Sequence, residues 1–243
     1  MTDDEERRHA FSEGAGFDES HEGFDIDPPE LEVDPDEVDP VDSHVVADLL
    51  DQRQLPDDEI DADALVDVGV EYVHINRHEQ ATDAFERAAQ YADDDATEQE
   101  ALVNKGVAHA ELEEWPAAAD AHRAALHVAE EGPFAAEAHT NLAYALWQRG
   151  ETSEAYRHAE AAVRADDRLG QAWFNVAVIE HEQGRPEEAA DCLDKAVQLG
   201  YRTAEVYDAK ADALDELGRE EAAAEAAERA EAIRERREQE LVG

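Results

Sequence analysis

From residue 62 onward, apolar side chains recur every three to four residues and are interrupted by short polar breaks. Five segments align when started at Ala62, Gln99, Ala136, Gly170 and Ala204, at spacings of 37, 37, 34 and 34 residues. The fourth reads GQAWFNVAVIEHEQGRPEEAADCLDKAVQLGYRT. Each segment carries a helical apolar period, a break at its fifteenth residue and a second helical period. The break residues are Asn76, Glu113, Gly150, Gly184 and Gly218. Four of these five tolerate the left-handed conformation that ends a helix. Each segment therefore predicts an antiparallel helix pair, and five in a row predict a repeat array.

Small residues fall at fixed places in that register. The eighth position is Gly69, Gly106, Ala143, Ala177 and Ala211; the twentieth is Ala81, Ala118, Ala155, Ala189 and Ala223. The twenty-seventh is Ala88, Ala125, Ala162, Ala196 and Ala230. Small side chains let two helix axes approach closely, so every pair is expected to close at the same contact.

This pattern resembles the tetratricopeptide repeat, a helix–turn–helix unit with small residues at its eighth, twentieth and twenty-seventh positions. Larger positions agree in part: the fourth is Leu65, Leu102, His139, Trp173 and Tyr207, and the eleventh includes Tyr72 and Leu146. The proline usual at the end of the second helix is missing throughout. Two units carry three extra residues, near Tyr91–Glu98 and His127–Phe134, which are expected to lengthen those second helices by about one turn. The resemblance implies an all-α, right-handed α-solenoid of five repeats over residues 62–237, with residues 238–243 ending a C-terminal capping helix. It also implies a protein-interaction scaffold without catalytic activity.

Before the array, residues 1–42 hold few bulky apolar residues and four prolines (Pro28, Pro29, Pro35 and Pro40), too little apolar surface to offset chain entropy. They read as a disordered acidic tail, either solvating or, through Phe17, Phe24, Ile26 and Leu31, able to dock. Residues 43–61 read as a capping helix and linker. Ser43 can N-cap a helix through about Arg53, with Val45, Val46, Leu49 and Leu50 on one face, before Pro56 breaks the chain.

Charge narrows the function. The 243 residues hold 65 acidic and 20 basic side chains, a net charge of −45. Phosphate backbones and anionic lipids are repelled, which excludes a general nucleic-acid or membrane-surface binder. The excess runs through both parts: 23 acids against 3 bases up to residue 61, and 42 against 17 beyond it. A carboxylate-coated, lysine-poor surface resembles the proteins of salt-in halophilic archaea, since molar salt shortens the Debye length to about 3 Å and quiets self-repulsion. The rival is an ordinary acidic protein that attracts basic partners. With no apolar leader segment and no apolar stretch of membrane-spanning length, a cytoplasmic location is expected.

No phosphate-cradling glycine loop, zinc-protease motif or nucleophile elbow occurs, and no cofactor is expected. Cys192, the single cysteine, reads as a small core hydrophobe. His109, His122 and His139 fall at the eleventh, twenty-fourth and fourth positions, which face the helix seam. They could form a metal- or pH-sensitive cluster or be neutral core histidines.

In the family the first helices line the concave surface. At its sixth position stand Asn104, Asn141 and Asn175 in three consecutive repeats. Their amides can pair with the backbone of an extended peptide, or brace neighbouring helices instead. Around them, Val103, Val107, Tyr144, Trp147, Phe174, Val178 and His181 supply an apolar and aromatic lining. No lysine or arginine occupies the concave positions, whereas Glu100, Glu111, Glu137, Glu182 and Glu205 do. The expected ligand is a neutral-to-basic, apolar protein or peptide segment. The alternatives are the protein's own tail and a second copy of the chain.

Overall fold

The computed structural model describes residues 60–242. The tail at 1–42, the helix expected from Ser43 and the break at Pro56 lie outside the described residues. Ten helices and no strand are found among those described: α1 (Ala62–His74), α2 (His78–Tyr91), α3 (Asp95–Glu111), α4 (Trp115–Val128), α5 (Ala135–Gln148), α6 (Thr152–Ala165), α7 (Gly170–Glu182), α8 (Pro186–Gln198), α9 (Ala204–Glu216) and α10 (Glu220–Val242). Each helix packs on the next. The first helix of each pair (α1, α3, α5, α7, α9) also touches the first helix of the following pair. This is an all-α solenoid with its first helices along one face.

The five turns share one hydrogen-bond design. Asn76, Glu113, Gly150, Gly184 and Gly218 all have positive φ, between 56° and 78°. The residue after each returns its N–H to a carbonyl five residues back, as in Arg77 to Tyr72 (2.8 Å) and Glu151 to Leu146 (2.9 Å). With the bond from the left-handed residue itself (Asn76 N–H to Val73 O, 3.0 Å), two of the terminal carbonyls of the first helix are satisfied by backbone alone. Glu113 is the strained member, because a side-chain-bearing residue other than Asn or Asp pays a steric cost in this region. Glu113→Gly is expected to stabilise the array by about 0.5–1 kcal/mol, the relief of strain outweighing the added freedom of the unfolded chain. A denaturation midpoint that stays still or falls would contradict this.

Of the fifteen small residues in the register, all but the partly exposed Ala211 are buried. In the first two repeats the eighth position is glycine because a ring lies on it. A Cβ on Gly69 would overlap Phe85, and one on Gly106 would overlap His122. In the next two repeats alanine suffices, since the residues at the twenty-fourth position are Ala159 and Leu193.

The extra residues do not lengthen the second helices. α2 and α4 have 14 residues each, like α6. The first insertion instead starts α3 early, giving it 17 residues, because Asp94 caps it by accepting from Ala96 N (2.9 Å) and Thr97 N (3.0 Å). The second becomes the loop 129–134, where Gly132 and Pro133 end helical continuity. Gln99 ties that loop down. Fully buried, it donates through Nε2 to Ala125 O (3.2 Å) and Ala129 O (2.6 Å) and accepts from Phe134 N (3.2 Å).

Basic side chains sit at the joints between helices. Lys105 of α3 pairs with Glu86 of α2, and Lys210 of α9 with Asp194 of α8, at equivalent places in their repeats. Arg219 pairs with Glu187 (2.7 Å), Arg234 with Asp208, and Arg123 with Glu154 (3.4 Å). Glu180, only 5% exposed, accepts from the Tyr156 hydroxyl (2.6 Å) and pairs with Arg185 (2.5 Å), whose guanidinium lies over the Tyr156 ring. The hydrogen bond to Glu180 pushes the Tyr156 hydroxyl up to about 12, with burial of the hydroxyl adding to it.

Candidate functional site

The concave positions open into a cavity of about 560 Å³ between α5 and α7, closed at one end by the start of α9. From α5 come Ala143, Tyr144, Trp147 and Gln148, and from α7 Gln171, Phe174, Asn175, Val178 and Ile179. Tyr201, in the turn after α8, and Glu205, in the first turn of α9, complete the lining. The helical period places these residues together: Tyr144 and Trp147 are three apart on α5, while Phe174 and Val178 are four apart on α7. Ala143 and Ile179 form the apolar floor, fully buried in the core below.

The rings are held by specific contacts. Tyr144 meets Trp147 at 6.0 Å between centroids and, with the ring planes nearly perpendicular, Trp115 at 5.7 Å. Its hydroxyl accepts from Gln148 Nε2 at 2.8 Å. The Trp147 indole donates to Glu182 (2.8 Å), which fixes the ring while leaving its faces free of polar partners. Across the cavity Phe174 meets Tyr201 at 5.8 Å. Tyr201 can approach because Gly170 has no side chain: a Cβ there would lie 2.6 Å from Tyr201 Cβ. Gly200, with a φ of 95°, turns the chain to deliver it.

Five of the ten expected lining residues meet in this cavity: Asn175, Tyr144, Trp147, Phe174 and Val178. The other five do not. Val103 packs into the core with Ala125 and Ala138, so it faces the helix seam. Asn104 and Val107 are partly exposed on α3 of the preceding repeat, Asn141 is partly exposed on α5 outside the cavity lining, and His181 lies 3.3 Å from Glu216. Asn175 is 6% exposed and donates to Thr140 O at 2.9 Å, bracing α7 on α5. Its N–H₂ is thus engaged within the array.

Electrostatically the face is acidic. Glu100 is held above the usual carboxylate range by burial and then by Asp63, Asp67 and Glu137. Glu137 is raised in the same way, by burial and then Asp166. Glu205 is lowered instead, by its own backbone N–H and the Thr203 hydroxyl, and so stands charged at the cavity rim. Burial pushes the Tyr201 hydroxyl up, with Glu205 and Tyr144 adding to it.

The three sequence-selected histidines do not form one cluster. His139 faces His158 across α5 and α6, Nδ1 to Nδ1 at 2.9 Å, a histidine the repeat register had not singled out. His122 lies within electrostatic reach of His109 and is 1% exposed. Burial lowers both members of the first pair, His158 to about 4, so each is neutral at pH 7. Among the described residues no group of three or more His, Cys, Asp or Glu could hold a metal ion. Burial also pushes the Cys192 thiol up to about 11, away from reactivity. No helix among the described residues is long and apolar enough to cross a membrane.

Comparison with known proteins bears on this arrangement. The family model for the tetratricopeptide repeat matches residues 103–168, 140–200 and 182–237. No curated protein matches the chain. Among solved structures, PilF of Pseudomonas aeruginosa is similar at 18% identity and a TM-score of 0.61, over 70% of this chain and 75% of its own. MamA of Desulfovibrio magneticus RS-1 is similar at 17% identity and a TM-score of 0.57, over 72% of this chain and 95% of its own. At such identities the likeness is one of fold.

Proposed function

The chain belongs to the tetratricopeptide repeat family, and from that premise we propose that it is a non-catalytic scaffold whose concave face binds an extended segment of a partner protein. One observation supports this above the rest: a cavity ringed by Tyr144, Trp147, Phe174 and Tyr201 opens on the face formed by the first helices. Aromatic rings gathered at one solvent-facing hollow suit hot-spot contacts. The carboxylates along that face favour a neutral-to-basic, apolar partner. The lysine-poor carboxylate coat supports a working environment of molar salt, in a cytoplasm of the halophile type.

A random dodecamer library selected against the full chain tests this reading. Enriched peptides are expected to lose at least about ten-fold in affinity when Tyr144 and Trp147 are both changed to Ala, with helicity retained. Asn104→Ala with Asn141→Ala is expected to weaken binding by about 0.5–1.5 kcal/mol per lost hydrogen bond. Peptides that bind the double aromatic variant as tightly as the parent would overturn the assignment.

A further inference from the structure

We propose that the hollow between α5 and α7 is a receptor for arginine: a guanidinium carried on the partner segment, set against the rings of Trp147, Tyr144 and Tyr201 with Glu205 as its counter-ion. This rests on the groove reading above and adds the identity of the anchoring side chain.

Three observations converge on it. Among the described residues, the only charged side chain lining the hollow is Glu205. Arg234 and Arg237, the arginines within electrostatic reach of it, sit on α10 and do not line the cavity; Arg234 is itself held by Asp208 and Glu231. Secondly, four aromatic rings contribute to one enclosure, and the face of an aromatic ring carries the negative part of its quadrupole. Trp147 has its N–H already committed to Glu182, so the indole brings a second carboxylate close without offering a donor. Thirdly, the amide side chains of the lining are Gln148, Gln171 and Asn175, whose oxygens can accept from a cation.

The alternatives fit less well. A purely apolar anchor would satisfy the rings but crowd Glu205 with carbon and strip its hydration. An acidic anchor would face Glu205 and Glu182 and be repelled. Between the two cationic residues, arginine is the better match. Its guanidinium is planar, weakly hydrated and able to stack while donating in its own plane, whereas an ammonium holds its water more tightly. A volume of about 560 Å³ exceeds one side chain, which leaves room for an apolar neighbour against Val178 and Phe174.

The probe is N-acetyl-arginine amide, titrated into the full chain beside N-acetyl-citrulline amide, which has nearly the same shape and no charge. The readout is the ¹⁵N indole resonance of Trp147, assigned through Trp147→Phe. The arginine compound is expected to shift it saturably and to bind about ten-fold more tightly than citrulline. Glu205→Gln should remove most of that preference, and arginine should be enriched among peptides selected on the groove. Equal binding of the two compounds, or a preference unchanged in Glu205→Gln, would overturn the assignment. If neither compound shifts the indole while selected peptides still need Tyr144 and Trp147, the arginine assignment fails and the groove reading stands. If no peptide needs those rings, both fail.

Discussion

Replacing Gln99 with Leu is expected to cost roughly 2–4 kcal/mol, although the side chain touches no ligand and lies outside the cavity. The amide is fully buried and makes three hydrogen bonds to backbone at the α4–α5 junction. Leucine keeps the volume but removes the best partner of Ala129 O and the partner of Phe134 N. Each buried polar group so orphaned costs about 1–3 kcal/mol. The chemistry can be separated from the packing with Gln99→Glu, which keeps the shape and swaps the donor for a carboxylate facing two carbonyl oxygens. At neutral pH this variant should be less stable than Gln99→Leu. It should recover as pH falls, because a protonated carboxyl can donate and its folded-state titration lies above that of the unfolded chain. Chemical denaturation across pH, with hydrogen exchange at the Phe134 amide, reads both effects. A Gln99→Leu protein as stable as the parent would show that the loop is held by something else.

Acid should destabilise the second repeat through His122. Burial first, and His109 second, push this imidazole down to about 3 from an ordinary 6.5. A group whose folded-state value is depressed takes up its proton more readily in the unfolded chain. For a histidine the penalty therefore begins as pH falls below about 6.5 and grows until about 3, reaching on the order of 5 kcal/mol. His122→Phe removes it. Phenylalanine already fills the equivalent place in the first repeat as Phe85, against Gly69, so the ring is expected to be accommodated against Gly106. Because Nδ1 of His122 is buried without a hydrogen-bond partner, the substitution should also be neutral or mildly stabilising at pH 7. Carboxylates titrate over the same range, but they are common to both proteins and largely cancel in the difference. Parallel stability–pH curves for the two would refute the assignment.

Periodic features of the fold were legible in the sequence because periodicity is what the helix imposes. The five breaks and the small-residue positions depend only on register, and even Glu113 adopts the left-handed turn its place demands. The insertions were misplaced because their fate rests on non-periodic chemistry: the Asp94 cap draws one into α3, and Gly132 with Pro133 turns the other into a loop. The cavity was half legible for the same reason. Tyr144, Trp147, Phe174 and Val178 follow the helical period, whereas Tyr201 lies between α8 and α9 and belongs to no face. Its signal was the adjacent Gly200, which precedes a ring that the side-chain-free Gly170 lets approach. Asn175 shows the opposite limit. Three asparagines in register look alike in sequence, but only contact with Thr140 O decides that this one braces the array.

The exchange of ring for methyl across the helix seam constrains how such an array can diverge. A Cβ on Gly69 or Gly106 would run into the ring of Phe85 or His122, while Ala143 and Ala177 already carry one opposite smaller or more pliable partners. The two sides of a seam are thus inherited as matched halves. A chimera that joins the first helix of the third repeat to the second helix of the second would drive the Ala143 methyl into the His122 ring, although each half is sound in its own repeat. Recombination that respects whole repeats keeps lock and key together, whereas crossing over at the intervening turn separates them. The viable unit of shuffling is the repeat, cut at its loops and never at its left-handed turn.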